Sequence, residues 1–66
     1  MTKSTVATTK TALNKEAKEA TDMLKGKVVS RIWRHRAKEI GITFVDGTTL
    51  FVDAEDEGLE LSITEK

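Results

Sequence analysis

The stretch Ile40-Gly-Ile-Thr-Phe-Val-Asp-Gly-Thr-Thr-Leu-Phe-Val52 reads as a β-hairpin folded about Asp46-Gly47. An Asp-Gly pair between runs of β-branched and aromatic residues is a strong local hairpin signal. Two registers compete. A two-residue turn pairs Val45 with Thr48 and sets Ile40, Ile42 and Phe44 beside Thr49, Phe51 and Asp53. A three-residue loop, Val45-Asp46-Gly47 with Gly47 left-handed in a bulge, pairs Phe44 with Thr48 instead. It sets the same three residues beside Thr48, Leu50 and Val52. The second register gathers more apolar side chains, and a one-residue slip would turn a whole strand over. The bulged loop is therefore expected. Gly41, Thr43, Thr49, Phe51 and Asp53 then share the opposite face.

Working outward, the pattern on both sides is also legible. Downstream, Asp53 to Gly58 is a strongly acidic loop, and Leu59, Leu61 and Ile63 alternate with Glu60, Ser62 and Thr64 as a half-buried strand. Upstream, Arg34 to Glu39 makes a polar connection. Before it, Lys27 to His35 has a period of two, with Val28 and Ile32 on one side and Val29 and Trp33 on the other. Ahead of Gly26 the period is helical: Leu13, Ala17, Ala20 and Leu24 form a narrow stripe that Met23 widens. Thr8 or Thr9 can cap the start and Gly26 the end. Lys15, Lys18, Asp22 and Lys25 fall on the solvated side.

This order predicts an α+β domain: an N-terminal helix packed on a small antiparallel meander of three to four strands. Short loops favour the meander, and the helical stripe needs one sheet face for its burial. The alternative is a small SH3-like β-barrel with the helix outside. The expected boundaries are a flexible tail over 1–8, a helix over 9–25 and antiparallel strands over 27–64, in one domain spanning 1–66. The tail region, 1–15, has three Lys, several Thr and no acid; its lack of Arg argues against a transit peptide.

With 66 residues and three aromatics, the chain can bury only a modest core, roughly 60% of its unfolded surface. It has no cysteine, so neither a disulfide nor a thiolate ligand supplements that core. Small scaffolds without such staples often oligomerise. No apolar run approaches the roughly 20 residues of a membrane span. A cytoplasmic, membrane-free protein is expected. The charge is balanced but segregated. Residues 1–38 hold ten Lys and Arg against three acids, a net of +7, and residues 39–66 hold eight acids against Lys66, a net of −7. Self-neutralisation, across strands or between subunits, is the simplest consequence.

Little points to catalysis. His35 is the one histidine, and without Cys or His partners it makes a poor metal site. An acid–base role for it with Glu39 would still need a nucleophile and an enclosed pocket. Asp53-Ala-Glu-Asp-Glu57 lacks the EF-hand order of ligands. The four glycines are isolated and form no phosphate loop. No enzyme activity, cofactor or metal is expected. Gly41 interrupts a strand and implies a close approach by another group, with Trp33 the candidate.

The candidate interaction residues are Val29, Arg31, Trp33, Arg34, Arg36, Lys38 and Phe51. Two readings use them. In the first, the chain is a non-enzymatic protein-interaction or assembly module and forms a homodimer. Val29, Trp33 and Phe51 lie on the side away from the helix, and the arginines pair with Glu55, Asp56, Glu57 or Glu60. In the second, it is a nucleic-acid-binding accessory protein. Arg31, Arg34, Arg36 and Lys38 meet phosphates, and Trp33 stacks on a base. The first is preferred, since no nucleic-acid motif accompanies the basic run.

Overall fold

The computed structural model describes the backbone of residues 2–6 and the whole of residues 9–65. Its elements are β1 (Thr2–Val6), α1 (Lys10–Leu24), β2 (Val29–Trp33), β3 (Glu39–Phe44), β4 (Thr49–Glu55) and β5 (Gly58–Thr64). Strands β2 to β5 form the expected antiparallel meander. The chain's first strand pairs with its last, giving the order β1-β5-β4-β3-β2. The sheet is open, with β1 and β2 as its edges, so the barrel alternative does not hold.

Two boundaries differ from expectation. Thr2–Val6 is an edge strand rather than part of a flexible tail. Its Thr- and Val-rich run suits an extended backbone, and β5 offers it an unpaired edge. The acidic segment is also shorter as a loop: β4 runs on through Glu55 and pairs with Gly58, leaving only Asp56 and Glu57 at the turn.

The hairpin adopts the bulged register. Ile40 faces Val52 and Ile42 faces Leu50. The Phe44 amide donates to the Thr48 carbonyl at 2.8 Å, and the Gly47 amide donates to the Phe44 carbonyl at 2.9 Å. Gly47 has φ +94°, a conformation that strains any residue with a Cβ. Asp46 holds the turn from both sides. Its Oδ1 accepts from the Thr48 amide at 2.9 Å, and its Oδ2 is paired with Lys27 at the start of β2.

The register sorts side chains into two faces. Ile40, Ile42, Phe44, Leu50, Val52, Leu59, Leu61 and Ile63 share one face; Gly41, Thr43, Thr49, Phe51, Asp53, Glu60 and Ser62 share the other. Helix α1 lies on the apolar face above β5, where Ala20 and Met23 meet Leu61 and Ile63. Thr9 caps it, its side chain accepting from the Ala12 amide at 3.1 Å.

The expected stripe holds in the second half of the helix, where Ala20, Met23 and Leu24 are half-buried; in the first half Ala12, Glu16 and Glu19 are the less exposed residues, while Leu13 and Ala17 are exposed. Alanines bury little area and orient a helix weakly, so the longer Met23 dominates the contact. Lys18, Asp22 and Lys25 form an exposed charge cluster on the far side, as the pattern predicts.

Candidate functional site

Strand β2 decides which groups the two faces present. Its alternation breaks at Ser30, where the pairing jumps from Val29 opposite Phe44 to Arg31 opposite Thr43. Such a bulge adds one residue to a strand and changes which side the following residues face. The Ser30 hydroxyl donates to the Thr43 carbonyl at 3.2 Å and occupies the gap. Val29 therefore shares the apolar face with Ile32 and Phe44. The grouping of Val29 with Trp33 is corrected by this one inserted residue.

On the polar face, Trp33 lies flat over Gly41. A Cβ placed on Gly41 would come within 2.2 Å of Trp33 Cε2, so the indole occupies the space a side chain would need. The edge of Trp33 meets Phe51 at a centroid distance of 5.4 Å, nearly perpendicular, and His35 at 6.4 Å. Its Nε1 donates to Thr43 Oγ1 at 3.2 Å, and Thr43 Oγ1 lies 3.3 Å from Thr49 Oγ1. Trp33 and Phe51 thus satisfy each other across three strands, and both are half-buried within one chain.

Beyond this aromatic row a second row crosses the sheet: Glu39, Asp53 and Glu60, consecutive partners on β3, β4 and β5. Arg36 caps it. Its Nη2 donates to Glu39 Oε2 at 3.1 Å, and Glu39 is buried. The Arg36 hydrogen bond holds the Glu39 carboxyl below its ordinary pKa against the opposing effect of burial. Asp53 has no such guanidinium hydrogen bond. Burial, then the neighbouring Glu39, pushes its pKa up. Among the described residues, no group of three or more His, Cys, Asp and Glu is arranged to hold a metal ion.

The basic segment does not act as a unit. Arg34 bends back on its own loop, with Nε donating to the Glu39 carbonyl at 2.8 Å and Nη2 to the Ala37 carbonyl. Arg36 is committed to Glu39. The expected pairing of these arginines with Glu55, Asp56 or Glu57 is replaced by contacts inside the 34–39 loop, which are closer in sequence and cost less ordering. Arg31 is placed by its register on the polar face with Trp33. Lys38 lines the opposite, apolar face, beside Ile40, Val52 and Leu59. Among the described residues, no ion pair joins Arg31 or Lys38 to an acid.

The apolar face is only partly covered. The helix sits over β5, and β2 is the strand left most open among the described residues, while Phe44 at the end of β3 is buried. Val29 is 48% exposed, Ile32 61% and Leu59 58%, although all three stand on the face that holds the core. At one end this uncovered strip deepens into an open groove floored by Ile40, Val52 and Leu59, with Arg34 and Lys38 on its rim. Ile32 and Leu59 were not marked as interaction residues by the sequence pattern. The lateral position of the helix leaves Ile32 open, and Leu59 stands at the start of β5, ahead of the helix contact at Leu61 and Ile63.

No family model matches the chain, and neither a curated protein nor a solved structure matches it significantly. No helix among the described residues is long and apolar enough to cross a membrane.

Proposed function

We propose that this chain is a non-enzymatic assembly module that self-associates through the uncovered half of its apolar sheet face, as a homodimer in the cytoplasm. The observation that carries this reading is the exposure of Val29 and Ile32 beside a core too small for the sheet. Among the described residues, the only buried hydrophobics are Phe44 and Ile63, and no side chain is fully enclosed. An apolar strip that continues a domain's own core is the surface a second copy completes most economically, because each copy supplies what the other lacks. Burying a large apolar side chain contributes roughly 1.5–3 kcal/mol at most. A few such residues per copy offset the cost of association.

Nucleic acid fits the same residues less well. Arg34 and Arg36 already serve the 34–39 loop, and the two remaining cations, Arg31 and Lys38, stand on opposite faces of the sheet. A phosphate backbone rewards cations that share one surface.

Sedimentation equilibrium tests the proposal. The wild type should sediment as a dimer at roughly 100 µM, a concentration at which an interface of ordinary micromolar affinity is saturated. Ile32→Lys should sediment as a folded monomer. The mass of a single chain for the wild type would refute self-association, and an unchanged dimer for Ile32→Lys would move the interface elsewhere.

A further inference from the structure

If the apolar strip is a dimer interface, the distribution of charge around it sets how the two copies are turned. The 34–38 loop and the Asp56–Glu57 turn lie at the same end of the sheet, since the Ala54 amide donates to the Lys38 carbonyl at 2.8 Å. Arg34 and Lys38 occupy one side of that end, and Glu55, Asp56 and Glu57 the other. No ion pair joins the two groups within the chain among the described residues. The opposite end carries Lys27 and Asp46, which already neutralise each other.

Two sheets packed apolar face to apolar face can be related by a twofold axis along the strands or across them. An axis across the strands sets the 34–38 loop of each copy over the neutral Lys27–Asp46 end of the other. An axis along the strands keeps like ends together and reverses the lateral order. The β2–β3 loop of one copy then lies over the β4–β5 turn of its partner, and cations meet acids twice. The same operation carries each helix, seated over β5, above the exposed β2 strand of the other copy. Leu13, 49% exposed on the helix, becomes available to Ile32 there.

We infer that the second copy docks about a twofold axis running along the strands, with Lys38 of each copy set against the acidic Glu55–Glu57 segment of the other. This rests on the self-association reading and deepens it: the crossed arrangement leaves the charged loops against a neutral end, whereas the axis along the strands gives complementary contacts that fix the register.

The test is a charge exchange followed by analytical ultracentrifugation and native mass spectrometry. Lys38→Glu and Glu57→Lys both alter exposed side chains, and circular dichroism should show each folded. Alone, each variant sets like charges together twice per dimer and should self-associate about five- to tenfold more weakly, the scale of exposed charge pairs. Mixed in equal amounts, they should form a heterodimer with affinity restored to near the wild-type value, because both contacts become complementary. A wild-type dimer whose two variants associate as tightly as it does, or whose mixture shows no preference for the heterodimer, would overturn the twofold while leaving self-association standing. A wild-type monomer would overturn both.

Discussion

At the scale of single residues, two positions decide the polar face. Gly41 is required by Trp33, whose indole fills the site of its missing side chain. Gly41→Ala should therefore lower stability by about 1–3 kcal/mol, the range for forcing extra atoms into a packed site. Chemical denaturation monitored by tryptophan fluorescence would measure it, and a shifted emission maximum in the folded state would report the displaced ring. Asp53 acts in the other direction. Its pKa is raised by burial and by Glu39, so the folded state favours its protonated form, and the stability it contributes falls as pH rises through the carboxylate range. Asp53→Asn should raise the melting temperature at pH 7, with the gain shrinking towards pH 3, where the wild-type carboxyl is protonated in both states. Asp46 has the opposite sign. Its pKa is held down at about 2, mainly by Lys27, so its contribution is present above pH 4 and fades below. The close approach of Trp33 to Gly41 was legible in the sequence because a lone glycine in a strand has few other uses. The burial of Glu39 was not, because it depends on the register that sets it opposite Asp53 on another strand.

At the scale of elements, the hairpin register followed from counting apolar neighbours, and the structure adopts the richer one. Strand β2 resisted the same reading. Its residues alternate well, but Ser30 is an extra residue inside the strand, and a bulge at a small polar residue leaves no mark in a hydrophobic pattern. The helix was legible as a helix and not as a surface. Its apolar stripe predicts the contact at Ala20, Met23 and Leu24 but not in the first half, where Glu16 and Glu19 are less exposed than Leu13 and Ala17. Glu16 Oε2 is buried and has no hydrogen-bond partner among the described residues, a costly condition for a polar atom. Glu16→Leu removes that atom and enlarges the contact with Leu61 and Ile63. It should stabilise the fold by about 1 kcal/mol in chemical denaturation. An unchanged or lowered midpoint would show that the carboxylate is satisfied in solution.

At the scale of the whole molecule, the fold class was legible because the order of one helical period and four strand periods leaves few arrangements. The proposed interaction surface was not, since it depends on what the helix leaves exposed. The segregated charges belong to this scale as well. The positive half of the chain supplies the two edge strands and the negative half the three between them, and the 34–38 loop and the Asp56–Glu57 turn remain separate on the surface, the separation on which the proposed dimer draws. The pairing of β1 with β5 has a further consequence, for the order in which the molecule can assemble. Thr2 lies opposite Thr64, so β1 is synthesised well before the strand it pairs with. The seat of the helix, Leu61 and Ile63, belongs to the same late strand. The β2–β4 core can form while the chain is still growing. The helix and β1 must wait for β5 to leave the ribosome, and until then the cationic segment ahead of β3 lacks the strand on which both are seated.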